Sequence, residues 1–428
     1  MNKSRLNELT AWRAAELLAS RELSATDLMR ACLDRVLERD AAVHAFAYLD
    51  PDAALAQARL LDAGQIRGPL HGIPLGVKDL FDTADMPTSY GSPIYAGHRP
   101  KADAASVALC REAGALVLGK TVTTEFAYFQ PGPTRNPHNL AHTPGGSSSG
   151  SAAAVADHML PLALGTQTAG SVIRPAAYCG VVGYKPTIGR VSRAGVKSLS
   201  ESLDTIGGFG RCVRDVSLLG AILTGDSRLS RLPHVDAPRI GLCRTAEWSR
   251  ADPDAQRALD QAVSALSPAA AYLADIDLPN DLPNLVVLQK AVMAFEMSRA
   301  LSHERIWHRN NLSEQLRALL DEGIAINGAE HSANIANTAF AQRSVDLVFD
   351  GFDVLMSPSA TGEAPVGIDA TGDPVFCRGW TLLGLPCVHL PVTQGTNGMP
   401  TGIQLVGRFG DDCRLLAIAE WVQGQLLR

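Results

Sequence analysis

The chain has 428 residues, 46% hydrophobic and 19% charged, with 38 Lys and Arg against 44 Asp and Glu for a net charge of −6. A chain this long and apolar buries a large core without disulfide staples, which excludes intrinsic disorder. The mild acidity gives no electrostatic footprint for nucleic acid or anionic lipid.

Residues 1–65 read as an N-terminal helical segment. Met1 to Leu18 mixes charged residues with apolar ones and lacks the unbroken apolar run of a signal peptide. Nor does the chain hold an apolar stretch of the roughly 18 residues that a membrane span needs. The expectation is a soluble cytoplasmic protein with no membrane contact. Ser24 and Asp27 form a capping box ahead of an apolar stripe, Leu28, Cys32, Leu33, Val36 and Leu37. A second helix is predicted from Pro51 to Ala63, stopping at Gly64.

From residue 66 the texture changes. Ile73 to Val77, Ala115 to Leu118, Leu160 to Leu164, Val181 to Tyr184, Ile240 to Cys243, Val354 to Met356, Val388 to Val392 and Ile403 to Val406 read as buried strands. Helical patterns separate them: Ala104 to Ala113, Ser149 to His158, Ser217 to Leu223, Asp252 to Leu266 and Ile335 to Phe349. Alternation of this kind predicts an α/β sheet covered on both faces. Residues 282–348 turn mostly helical, as a cap or insertion over one sheet edge would. With no linker, repeat or low-complexity tail, the expectation is one domain over 1–428, its catalytic core at 66–230.

Eight cysteines are scattered without a C-x-x-C pair, and eleven histidines contain no H-E-x-x-H. These counts predict reduced thiols and no metal site. Gly114 to Thr121 fits the phosphate-loop spelling G-x-x-x-x-G-K-[ST], yet its variable positions are Ala, Leu, Val and Leu, and the helix precedes them. A phosphate loop curls its N–H groups around an anion between a strand and a following helix, so this segment reads as helix, turn and strand instead. Gly146 to Gly150 fits the nucleophile elbow G-x-S-x-G around Ser148, but loop, not strand, leads into it.

The Gly/Ser run does not stand alone. Lys78 ends an apolar strand, where lysine is rarely buried without a role. Downstream, a strand from Leu162 runs into the small-residue loop Thr168-Ala169-Gly170-Ser171. Such a loop can aim consecutive backbone N–H groups at one point, as an oxyanion hole requires, and its serine can attack the carbonyl they polarise. Lysine, Gly-Gly-Ser turn and Gly-Ser loop together point to a serine nucleophile whose base is not histidine.

At these residues the sequence resembles the amidase signature family. The matching block runs from Gly145 to Ala156 and on through Ala169-Gly170-Ser171 to Pro186. Flanking pieces are His71 to Asp79, Gly114 to Thr121 with Glu125 to Ala127, and Gly384 to Pro386 with Pro400 to Gln404. The resemblance implies a large mixed twisted β-sheet with helices on both faces, no cofactor and no metal. It implies a Ser-cis-Ser-Lys triad with Ser171 as nucleophile, Ser147 as bridge and Lys78 as base. The oxyanion donors fall on the backbone of Thr168, Ala169, Gly170 and Ser171. Phe126, Tyr128 and Phe129 would line the acyl side, with core packing as the alternative for Phe126.

Two departures stand out. Gln167 and Ala169 occupy positions where the family often has Asp and Gly, and alanine there requires a loop with φ < 0. Arg174 lies three residues after Ser171 rather than two, which leaves its partner open. Trp380 to Gly384 replaces a polar family element, so that wall is expected to be apolar.

The implied reaction is cleavage of a carboxamide C–N bond through a seryl acyl-enzyme. It needs a neutral lysine near pH 7, some three pH units below the ordinary value, or roughly 4 kcal/mol of desolvation. Adjacent Asp79 would oppose this unless it points to the other side of its strand. The family also implies alternatives: a glutamine-hydrolysing subunit of a tRNA-dependent amidotransferase, whose zwitterion clamp is not apparent in the sequence, or a carboxybiuret-type hydrolase with a small companion subunit. A homodimer is the other partner form. An inactive scaffold would have no need of all three triad residues.

Overall fold

The computed structural model describes residues 3–428. The signal-segment reading therefore falls partly outside the described residues, and partly on helix α1 (Ala11–Ala19). Among the described residues no helix is long and apolar enough to cross a membrane.

The next elements are α2 (Ala25–Val43), strand β1 (Phe46–Leu49) and α3 (Pro51–Ala63). Ser24 Oγ accepts from the Asp27 N–H at 3.0 Å, the cap that the spacing predicts. The apolar stripe is narrower than expected: Leu28, Cys32 and Val36 are buried, but Leu37 is 85% exposed. Positions 28, 32 and 36 recur every four residues on one face, and 37 lies a further 100° around the helix.

Then follow β2 (Pro74–Lys78), α4 (Ala105–Glu112), β3 (Leu116–Thr121), α5 (Ser149–Ala156), β4 (Leu162–Gln167), α6 (Ile173–Cys179), β5 (Val182–Lys185), β6 (Thr205–Gly210), α7 (Val213–Thr224), β7 (Arg239–Cys243), α8 (Pro253–Leu266) and β8 (Tyr272–Ile276). Four helices, α9 (Leu285–Ala300), α10 (Ser302–Trp307), α11 (Glu314–Ala325) and α12 (Gly328–Asp346), fill the segment read as helical. The chain closes with β9 (Val354–Pro358), α13 (Val375–Leu382), β10 (Cys387–Gln394), β11 (Pro400–Val406) and α14 (Asp412–Leu426).

All eleven strands join one sheet in the order β1-β3-β2-β4-β6-β5-β10-β11-β9-β7-β8. It is mixed: β2 runs parallel to β3 and β4, and β7 parallel to β8 and β9, whereas β6, β10 and β11 pair antiparallel. Successive residues of the later strands pack on opposite faces. Leu355, Cys387 and Val406 join Ile173 of α6 in one cluster, and Met356, Val388 and Leu405 join Leu259 and Leu266 of α8 in another. Both faces are therefore buried, as the near-continuous apolar runs predict.

Three strands have no counterpart among the predicted ones. β6 reads TIGGFG, and its glycines hide a strand lying between β4 and β5. β1 is a four-residue strand at one sheet edge, and β8, half-exposed at the other, alternates weakly.

Helices α9, α10 and α11 are tied to the rest of the fold by carboxylates. Glu304 of α10 accepts from Lys197 Nζ and Tyr95 Oη, and Glu296 of α9 accepts from the Ser202 N–H at 2.9 Å. From the core side, Glu125 accepts from the Ser313 N–H at 3.2 Å, where α11 begins.

Candidate active site

Lys78 closes β2, and Thr166 and Gln167 close its parallel neighbour β4. The carboxyl ends of adjacent parallel strands are where open α/β sheets bind ligands. Lys78 has no exposed surface. Its Nζ lies 2.7 Å from Ser147 Oγ, within hydrogen-bonding distance, and donates to Thr166 Oγ1 at 2.8 Å. Burial holds its ammonium well below the ordinary lysine range, and the Asp204 carboxylate opposes this more weakly. Asp79 does turn away: it pairs with Lys120 Nζ at 3.0 Å and accepts from the Ser89 N–H at 3.0 Å.

Lys120 accounts for the phosphate-loop spelling. It lies in β3 with no exposed surface, and its Nζ also donates to the Phe81 carbonyl at 2.8 Å. A buried lysine committed to a carboxylate and a carbonyl supports the core and cradles no anion. Ser148 is likewise committed: its Oγ bonds the backbone N–H and carbonyl of Thr166, each at 3.3 Å.

The peptide between Gly146 and Ser147 is cis. Arg174 of α6 donates through Nη2 to the Gly146 carbonyl at 2.6 Å, and through Nη1 to the Gly372 carbonyl. One guanidinium, three residues after Ser171, therefore ties the helix that follows Ser171 to the turn bearing Ser147; this is the partner that the sequence left open. The Arg174 guanidinium also stacks 5.5 Å over the Phe129 ring. After Ser148 the chain turns directly into α5, and a Cβ on Gly150 would lie 2.1 Å from the Ala45 carbonyl oxygen, so only glycine fits there.

The loop from Thr168 to Ser171 is held from behind by its carbonyls. Gln289 Nε2 donates to the Thr168 carbonyl at 3.0 Å, Thr381 Oγ1 to the Ala169 carbonyl at 2.7 Å, and the Arg174 N–H to the Gly170 carbonyl at 2.9 Å. In a trans peptide the C=O of one residue and the N–H of the next point in opposite directions. Each of these carbonyls is therefore committed, and the N–H groups of Ala169, Gly170 and Ser171 point away from the partners that hold them. Those amides take no partner among the described residues. Three consecutive unpaired donors leading up to a serine are the kind of group that a developing oxyanion needs.

The residues at 167 and 169 also fit the fold. Gln167 Oε1 accepts from the N–H groups of Val172 and Ile173 at 2.9 and 3.0 Å, and its Nε2 donates to Thr381 Oγ1 at 2.9 Å. It thus satisfies donors at the entry to α6 and braces the loop from within. Ala169 is absent from the positive-φ residues, so alanine is accommodated there.

Phe126 takes the core-packing alternative: it is fully buried, with Tyr95 at 6.1 Å between ring centroids. Tyr128 is half-buried, next to Phe129 at 5.0 Å. Trp380 points into the core with Ile173 and Leu385, leaving Arg378 and Thr381 as polar groups of α13 near the loop. Sequence reasoning missed Thr166, Gln289, Thr381 and Arg378. Gln289 offered one signal, an amide directly after the apolar stretch Leu285 to Leu288.

A family model described as Amidase matches residues 27–416, and the chain belongs to that family. Its sequence is 43% identical to a glutamyl-tRNA(Gln) amidotransferase subunit from Acidothermus cellulolyticus, covering 96% of this chain and 92% of that protein. Among solved structures, a crystal structure of an amidase superposes with a TM-score of 0.88 at 31% identity, covering 97% of this chain and all of the other. A second structure, described as a vestigial protein complex bearing on the origins of an s-triazine catabolic enzyme, gives a TM-score of 0.87 at 27% identity over 98% of each chain. The protein is thus an amidase-family hydrolase acting on amides.

Proposed function

We propose that Ser171 attacks a primary carboxamide, that its proton passes through Ser147 to neutral Lys78, and that ammonia leaves to give an acyl-enzyme. As Ser171 Oγ bonds to the carbonyl carbon, the carbonyl oxygen takes up negative charge in front of the amides of Ala169, Gly170 and Ser171. The proton held on Lys78 returns through Ser147 to the departing nitrogen as the C–N bond breaks. Water then attacks the ester by the same relay, releasing the carboxylic acid and freeing Ser171. The observation that carries this reading is the buried Lys78 amine 2.7 Å from Ser147 Oγ, with Thr166 Oγ1 as its other hydrogen-bond partner.

For the finer activity, glutamine hydrolysis in company with a second protein is the reading that the 43% identity to an amidotransferase subunit supports. A free-standing carboxamide hydrolase is the second reading, favoured by the full-length match to a solved amidase.

The test is ammonia release from glutamine and a panel of amides, for the native chain and Ser171→Ala, with a fluorophosphonate adduct mapped by mass spectrometry. The expected result is a Ser171 adduct and turnover that Ser171→Ala abolishes. Near-native turnover by Ser171→Ala, or an adduct on Ser148, refutes the relay. Glutaminase activity that appears only with a copurified second chain favours the amidotransferase reading, and activity of the chain alone favours the hydrolase.

A further inference from the structure

Two arginines lie buried close to the nucleophile loop, and neither has a carboxylate partner. Arg174 is 3% exposed and Arg378 is 4% exposed, and no ion pair among the described residues involves either. Burying a guanidinium without a counter-charge is costly unless something else uses it. For Arg174 the use is visible, since both terminal nitrogens are spent on the Gly146 and Gly372 carbonyls.

Arg378 is not spent in this way. Only Nη1 has a protein acceptor, Gln289 Oε1; Nε is buried with no partner, and Nη2 takes none among the described residues. Asp373, the acidic group that bears on it electrostatically, is ion-paired with Arg250 at 2.9 Å. The other groups bearing on it are the half-buried Tyr128, the buried Cys377 and the neighbouring Arg174.

The position is as telling as the missing partners. Arg378 lies on α13, whose start presses on the nucleophile loop: a Cβ on Gly170 would lie 2.7 Å from Pro374 Cβ and 3.1 Å from Cys377 Cβ. Gln289 connects the two directly, giving its Oε1 to Arg378 and its Nε2 to the Thr168 carbonyl. A single amide side chain thus separates the unsatisfied guanidinium from the oxyanion loop.

We infer that Arg378 is a specificity-determining residue that binds a carboxylate on the acyl chain of the substrate, with its free Nε and Nη2 edge turned to the anion and Gln289 fixing that edge against the oxyanion loop. The substrate class is an amide whose acyl chain ends in a carboxylate, such as glutamine or the monoamide of a dicarboxylic acid. Guanidinium matches this anion because its planar fork places two N–H groups side by side. The inference deepens the proposed amidase activity and rests on it.

The experiment compares kcat/KM for glutaric acid monoamide and for its methyl ester, the same chain without the charge. The native enzyme is expected to prefer the carboxylate, and Arg378→Met to reduce that preference ratio about tenfold to a hundredfold, the usual worth of a hydrogen bond to a charged group. Arg378→Lys keeps the charge but loses the fork, and its ratio should fall between the two. In the native enzyme, glutarate should protect Ser171 from a neutral fluorophosphonate more strongly than its monomethyl ester does, a readout that needs no variant to fold. A ratio that does not change, rates that fall equally for both substrates, or equal protection by diacid and ester would overturn the assignment. If native Ser171 takes no label and neither amide is cleaved, the amidase reading itself fails, an outcome distinct from labelling and turnover without anionic preference.

Discussion

Replacing Thr166 by valine tests the base most directly, because it keeps the shape beside Lys78 and removes only the oxygen that accepts from Nζ at 2.8 Å. A hydrogen bond to a neutral group contributes about 1 kcal/mol, and one to a charged group about 2. The hydroxyl therefore favours the ammonium over the amine by roughly 1 kcal/mol, and its loss should lower the ionisation of Lys78 by about 0.7 pH unit. Burial already holds that group well below the ordinary lysine range, and Thr166→Val moves it further in the same direction. Since the amine is the active form, kcat/KM rises with pH through this ionisation, and the acid limb should shift to lower pH by about 0.7. Above the limb, the plateau should fall about fivefold, as the amine loses the contact that aims it at Ser147. The assay is a pH series of ammonia release, with the rate of Ser171 labelling as a second readout. An acid limb that moves upward, or stays in place while the plateau drops, would show that Lys78 does not serve as the titrating base.

Two further outcomes follow from contacts around the site. Gly170→Ala puts a methyl group 2.7 Å from Pro374 Cβ, so the loop must shift; losing one aligned oxyanion donor should lower kcat about a hundredfold or more, which steady-state kinetics would show. Lys120→Met leaves the Asp79 carboxylate buried without its cation and should cost about 3–5 kcal/mol of stability, read as a lower denaturation midpoint by urea titration.

Lys78, Ser147 and Ser171 stood out in the sequence because each is out of character for its setting: a lysine ending an apolar strand, a serine behind two glycines, and a serine at the end of a small-residue loop. The parts that position them were not, since Gln289, Thr381 and Arg378 lie more than a hundred residues downstream and act through contacts that only the folded chain creates. The sheet shows the same division. Strands β2, β4 and β10 announce themselves as apolar runs, whereas β6, with glycine at three of its six positions, becomes a strand because β4 and β5 flank it. For Phe126 the family resemblance left acyl-side lining and core packing both open, and only the folded chain, which buries the ring completely, decides between them.

Helices α9, α10 and α11 are stapled to the rest of the fold through Glu296, Glu304 and Glu125, at sites separate from Lys78 and Ser147. Evolution can therefore re-carve these helices while the floor that holds Lys78 and Ser147 stays as it is. Gln289, rooted in α9 and touching the reaction loop, is the point where such remodelling would first be felt as a change in rate.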